Sequence, residues 1–287
     1  MGHLDHATFG WLTPALSYAM AAIGAALGLS CTVRALDTSG RSRRNWLITA
    51  ASALGTGIWT MHFVAMLGFG VAGTEIRYNV LLTLLSLLGA MLVVGCGVFA
   101  VGYSRDRTRA LAVGGFGTGL GVASMHYLGM AALRLHGTIH YDPLRVVLSV
   151  VIAVVAATAA LWAALNIKSS RAVALASLVM GAAVSSMHYT GMMAVGVSVT
   201  PSGSELPGAT TMQFIFPLAV GLGSYLFLTS AFVALSPTAR ERAAYVSAER
   251  ITEPATDAAS TRLAQRGRDS RPRRGSRGPD LSPSATP

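Results

Sequence analysis

Met61-His62-Phe63-Val64-Ala65-Met66 recurs as Met125-His126-Tyr127-Leu128-Gly129-Met130 and again as Met187-His188-Tyr189-Thr190-Gly191-Met192. The histidines stand 64 and 62 residues apart, a period that marks a repeated structural unit. Each copy lies inside an apolar stretch. Seven such stretches run over residues 11–34, 46–70, 79–103, 110–133, 144–165, 171–196 and 212–235. Each is long enough to cross a hydrocarbon core, which takes about 20 apolar residues as a helix. The three copies fall in the second, fourth and sixth stretches. The unit is therefore a helix pair repeated three times and followed by a seventh helix. The expected fold is all-α and polytopic.

Composition supports this reading. The 287 residues are 52% hydrophobic and only 12% charged, a balance that leaves too little polar surface to cover a soluble domain. The formal net charge of +10 does not indicate nucleic acid, because ten of the 22 basic residues lie beyond Pro237. The first, third and fifth connections hold Arg34, Arg41, Arg43 and Arg44, then Arg105, Arg107 and Arg109, then Lys168 and Arg171. The second, fourth and sixth hold only Arg77, Arg134 and Arg145, beside Glu75, Asp142 and Glu205. By the positive-inside rule the even connections are external, the N-terminus is outside and the C-terminus is cytoplasmic, in the inner membrane. The opening residues lack a basic n-region, so the first helix is expected to be retained. Three parts follow: residues 1–10 as an outer segment, 11–235 as the membrane domain, and 236–287 as a basic tail too poor in apolar residues to fold. Arg266, Arg268, Arg271, Arg273, Arg274 and Arg277 give that tail an attraction to anionic headgroups.

Within the spans glycine is abundant, as at Gly114, Gly115, Gly117, Gly119 and Gly121, where small residues let helix backbones approach closely. Cys31 and Cys96 read as packing residues. Trp11 and Trp46, near span ends, read as interface anchors.

Because alternate helices run in the same direction, the three clusters face one side of the membrane. Each histidine lies about 6 to 7 Å past its span's midpoint, in the outer half. No Asp, Glu, Lys or Arg lies deep in any span, so the histidines are the strongly polar ionisable groups there, and such residues usually serve function. In each copy the histidine and second methionine stand at i and i+4, on one helix face. Imidazole suits copper, zinc and iron, whereas a thioether favours Cu(I), so the set argues for copper. The candidate ligands are His62, Met66, His126, Met130, His188 and Met192. Met61, Met125 and Met187, about 100° round the helix, are alternative ligands or packing groups.

The copies resemble the MHYT family, bacterial integral membrane sensors named for a Met-His-Tyr-Thr motif. The match covers residues 11–235 and is literal in Met187-His188-Tyr189-Thr190; Leu128 replaces the threonine in the second copy and Phe63 the tyrosine in the first. Because Phe63 has no hydroxyl, a role for that hydroxyl in the site cannot be threefold. The resemblance implies a sensory protein holding copper near the outer face and responding to oxygen, carbon monoxide or nitric oxide. Family members are often fused to cyclase, phosphodiesterase or kinase domains. This chain has only its tail there, so a separate cytoplasmic signalling partner is expected.

Two other functions compete. The same residues would serve a copper or small-species transporter or channel, but no second ring of ligands continues the route inward. A structural bundle would use the histidines for hydrogen-bonded packing, a common role in membrane helices. An enzyme is not expected, since the spans group neither a nucleophile and base nor an intramembrane acid. Loop residues His136 and His140, and His3 and His6, read as solvated.

Overall fold

The computed structural model describes residues 4–5, 10–166, 169–200, 205–236 and 247. Seven helices follow one another: α1 (Leu12–Leu36), α2 (Gly40–Leu67), α3 (Val80–Tyr103), α4 (Arg107–Ala131), α5 (Pro143–Asn166), α6 (Ser170–Met193) and α7 (Phe216–Leu235). A single π-helical turn, Thr211–Ile215, leads into α7. Helix starts are written in the sequence. The side chains of Asn79, Asp106 and Ser169 accept hydrogen bonds from backbone N–H groups in the first turns of α3, α4 and α6, and Asp142 Oδ1 does the same ahead of Pro143 at the start of α5.

Six of the seven helices are long and apolar enough to cross a membrane, and the chain is a multi-pass membrane protein. The exception is α4, whose glycines and whose Arg107 and Arg109 dilute its hydropathy. Large apolar side chains such as Leu81, Leu92, Val113, Val155, Phe227 and Phe232 point outward, where lipid replaces water as their solvent.

In packing order α1 touches α2, α2 touches α3, and so on to α6, which returns to α1; α7 lies against α1 and α2. The α2, α4 and α6 helices also touch one another, as do α1, α3 and α5, so both sets meet at the centre of the ring. Small residues permit this closeness. A Cβ on Gly24 would stand 2.7 Å from the Cα of Gly57, where α1 crosses α2. In α4, Gly115 and Gly119 pack on Thr158 and Val154 of α5, and Gly121 packs on Val93 of α3. Gly117 meets nothing, so it is not a packing contact. Cys31 is buried, as expected, but Cys96 is exposed on α3 and packs no interior.

The connections at the ends of α2, α4 and α6 differ from the expected plain loops. These helices stop two to three residues short of the expected span ends, and the chain then turns into short antiparallel strands. In chain order the strands are β1 (Leu4–Asp5), β2 (Gly70–Val71), β3 (Arg77–Tyr78), β4 (Leu133–Arg134), β5 (Gly137–Tyr141), β6 (Val195–Val199) and β7 (Ala209–Thr210). β1 pairs with β2, β5 with β6, and β3 lies between β4 and β7. Paired strands satisfy the backbone groups that a helix end leaves open. The residues expected to form the basic tail lie outside the described residues except for Ser236 and Ser247, as do His3 and His6.

Candidate metal centre

His62, His126 and His188 are each the sixth residue from the C-terminal end of its own helix, since α2, α4 and α6 end at Leu67, Ala131 and Met193. With about 1.5 Å of rise per residue, all three imidazoles sit at a common depth, about 7 to 8 Å below the helix ends. The three side chains are fully buried or within 1% of it. Their ring nitrogens converge. His62 Nδ1 lies 3.0 Å from His188 Nδ1 and 3.1 Å from His126 Nδ1, and the third side, His126 to His188, is 3.3 Å. The rings meet edge to face, with interplanar angles of 85°, 74° and 89°.

This triangle cannot satisfy itself by hydrogen bonding. A neutral imidazole nitrogen offers either one N–H or one lone pair in the ring plane. Among three mutually facing nitrogens one hydrogen bond can form, and the third nitrogen is left facing a like group. A cation at the centre accepts all three lone pairs at once. The size also fits: a tetrahedral ion with metal–nitrogen bonds of about 2.0–2.1 Å spaces its nitrogens about 3.3–3.4 Å apart. The observed sides are within a few tenths of an ångström of that spacing.

The opposite edges of two rings are also exceptional. Nε2 of His62 and of His126 is buried without a hydrogen-bond partner. These edges instead face glycines of the next copy: a Cβ on Gly129 would stand 2.5 Å from His62 Nε2, and one on Gly191 would stand 2.5 Å from His126 Nε2. Gly129 and Gly191 thus hold the rings in place by having no side chain. The sequence reading missed them as site residues, although the signal was present as glycine three positions after the histidine in both copies.

The methionines divide into two kinds. Met66, Met130 and Met192 are buried in one apolar cluster with Trp59, Phe63 and Tyr78, which takes in strand residues such as Val71, Leu133 and Val195. Met125 joins that cluster, whereas Met187 belongs to the core on the other side of the triad, and Met61 is fully buried. Met125 and Met187, at the same helix position, therefore pack into different clusters. His136 and His140 lie away from the triad among the strands, His136 receiving Thr200 N–H at its carbonyl and His140 Nε2 lying 3.2 Å from Ser198 Oγ.

The motif tyrosines point outward from the site. Tyr127 Oη is 2.7 Å from Ser149 Oγ on α5, and Tyr189 Oη is 3.5 Å from Ser17 Oγ on α1. Each serine already donates its one proton to the carbonyl three residues earlier, Val146 and Pro14, so each tyrosine is the donor. In the first copy Trp59 Nε1–H donates to Ser86 Oγ (2.9 Å), and Ser86 likewise donates to Thr83 O (2.7 Å). An indole one turn earlier thereby replaces the hydroxyl that Phe63 lacks. The serines follow leucine in each case, Leu16-Ser17, Leu85-Ser86 and Leu148-Ser149, a second threefold signal that the sequence reading did not use.

Residues 55–114 and 119–177 match the model of the MHYT repeat, described as a bacterial signalling protein N-terminal repeat. Among curated proteins the chain is 42% identical over 188 residues to MucR of Pseudomonas aeruginosa, a bifunctional diguanylate cyclase/cyclic di-GMP phosphodiesterase. It is 34% identical over 209 residues to the cyclic di-GMP phosphodiesterase NbdA of the same organism, and 30% identical over 222 residues to the signalling protein YkoW of Bacillus subtilis. These alignments take in 63%, 71% and 74% of the chain but only 27%, 26% and 27% of the respective relatives, so the chain spans about a quarter of their length. No solved structure matches it. With the motif helices, their buried histidines and the repeat matches in agreement, residues 55–177 of the chain carry MHYT repeats and resemble the corresponding region of bacterial signalling proteins.

Proposed function

We propose that the chain is a membrane sensory module whose resident ion is copper, held by His62, His126 and His188. The triangle of Nδ1 atoms with sides of 3.0–3.3 Å carries this reading. Three neutral imidazoles suit several transition metals; the thioethers of Met66, Met130 and Met192, one turn along the same helices, favour Cu(I) among them. When bound, the ion supplies an electrophilic centre able to take a diatomic ligand such as oxygen, carbon monoxide or nitric oxide. The protein's own residues do the rest. The imidazoles set the donor plane, Gly129 and Gly191 fix two of the rings, and the apolar cluster that holds Met66, Met130 and Met192 excludes water from the strand side.

In this reading all seven helices span the bilayer as three repeated pairs and a seventh helix. The strands face outside, and the basic connections and the C-terminal residues face the cytoplasm. The module is not itself an enzyme and passes its signal to a cytoplasmic output; the cyclase and phosphodiesterase relatives support an output of that chemistry. A resident ion is favoured over transported cargo, because among the described residues no other group of three His, Cys, Asp or Glu side chains could hold an ion on the way to the basic end.

The test compares copper content and melting temperature in three detergent preparations from copper-supplied cells: the natural sequence, His126→Ala and Met130→Leu. His126→Ala is expected to lose most of the copper. Met130→Leu, which conserves volume, is expected to weaken Cu(I) retention with little change in melting temperature. Background copper in all three, with only His126→Ala melting lower, would leave a packing role for the histidines and retire the sensor. Orientation is tested separately by impermeant thiol labelling in intact cells: cysteines placed beside Glu205 and Asp142 are expected to react, and one beside Arg107 is not.

A further inference from the structure

The helices form a partly open chamber of about 50 Å³ directly beneath the histidines. Its position follows from the helix period. Ile58, Val122 and Val184 line it, and each is four residues before the histidine of its own helix. Leu54, Thr118 and Met180 line it too, each eight residues before. Residues at i−4 and i−8 share a face with residue i, so the chamber begins about one turn, roughly 6 Å, below the triad and extends away from it. Side chains of α3 and α5 complete the wall.

Apart from the thioethers of Met180 and Met187 and the hydroxyl of Thr118 the lining is hydrocarbon, so the chamber is suited neither to a hard ion nor to water. Thr118 is the one polar residue in the lining, and its Oγ1, which has no hydrogen-bond partner, packs against Gly97 of α3. A buried water needs two to four polar partners, and apolar cavities stay dry while accepting apolar guests. Size narrows the guest further. An engineered apolar cavity of about 150 Å³ takes benzene, so a chamber one third as large takes a molecule of two or three atoms, or a xenon atom.

We propose that this chamber is a binding site for an uncharged, weakly polar molecule of diatomic size, held one helix turn beneath the plane of the three imidazoles. Its use as the ligand chamber of the metal centre rests on the function proposed above; its capacity to bind such a molecule does not. A guest there stands on the side of the triad opposite the methionines Met66, Met130 and Met192, so it approaches the face of the donor plane that those thioethers leave open.

Xenon is the probe, read on the full chain by methyl NMR in metal-free and copper-loaded preparations. Methyl shifts of Ile58, Val122 and Val184 are expected to saturate with xenon pressure, whereas Leu88, exposed on the lipid face of α3, is expected to shift linearly. Ala157→Phe and Ala153→Leu, each adding bulk to the chamber wall, are expected to abolish the saturable component; the second serves if the first does not fold. Carbon monoxide is expected to reverse the xenon shifts in the metal-free protein. Linear shifts at the chamber methyls of the natural protein, or saturable shifts that survive filling, would overturn the site. Saturation without reversal by carbon monoxide would overturn the diatomic class. Saturable xenon binding in a protein that never retains copper would remove the metal centre and keep the chamber, whereas copper retention without saturation would do the opposite.

Discussion

The first motif copy and the other two solve the same packing problem with different residues. In the second and third copies a tyrosine hydroxyl reaches a serine on the neighbouring odd-numbered helix, and a glycine backs a histidine ring of the preceding copy. In the first copy Phe63 and Ala65 occupy those positions, and Trp59 supplies the donor to Ser86 from one turn earlier. The element common to all three is therefore a donor delivered to a serine, not a tyrosine. The histidine and the two methionines that bracket it keep their identity in all three copies, and the histidines keep one depth, which is what a shared centre requires.

That comparison can be broken most forcefully at the glycines. Gly129→Ala or Gly191→Ala places a Cβ 2.5 Å from an imidazole nitrogen, so the ring or the helix must move. Overpacking of this kind costs about 1–3 kcal/mol, and ring displacement is expected to remove most of the bound copper. Metal analysis and thermal melting read both effects; unchanged copper in both variants would show that the glycines do not position the rings. Ala65→Gly, in the copy that already lacks this glycine, is expected to leave copper unchanged.

Next in size is Phe63→Tyr, which writes the family's tyrosine into the first copy. Phe63 is fully buried, and Ser86 already receives a proton from Trp59 and donates its own to Thr83, so the new hydroxyl must share the serine oxygen with the indole or stay unpaired. A loss of about 1–3 kcal/mol is expected in the melting or denaturant midpoint. A stabilised variant would show that the indole is not the substitute donor. Tyr127→Phe removes one hydrogen bond of 2.7 Å and is expected to cost about 1 kcal/mol, while Tyr189→Phe, whose contact is 3.5 Å, is expected to cost less.

Much of this architecture is legible from hydropathy and charge, because lipid imposes length on every span and the basic residues gather on alternate connections. The depth match of His62, His126 and His188 is legible too, from repeat spacing alone. Two features are hidden by their physics. The strands β5 and β6 form from residues in long-range pairing, Gly137 with Val199 through Tyr141 with Val195, and no local pattern of five residues announces a partner nearly sixty residues away. The outward direction of Tyr127 and Tyr189 depends on which neighbour each helix meets, and helix order is not encoded in a single sequence. Gly129 and Gly191 stand between these cases: their recurrence is visible, but only the approach of an imidazole from another helix gives it meaning. For α4, glycines that allow close packing are the same residues that lower hydropathy, so a closely packed helix is the least apparent as a span.

Whether three Nδ1 atoms share one ion is read directly by X-ray absorption at the copper edge on the purified full chain. The expected result is about one copper per chain, with a first shell containing three nitrogen donors at roughly 2.0–2.1 Å, the range set by imidazole ligation. The shell should vanish in the variant carrying His62→Ala, His126→Ala and His188→Ala together. Copper at background level in the natural protein, or the same shell persisting in the triple variant, would contradict the metal centre.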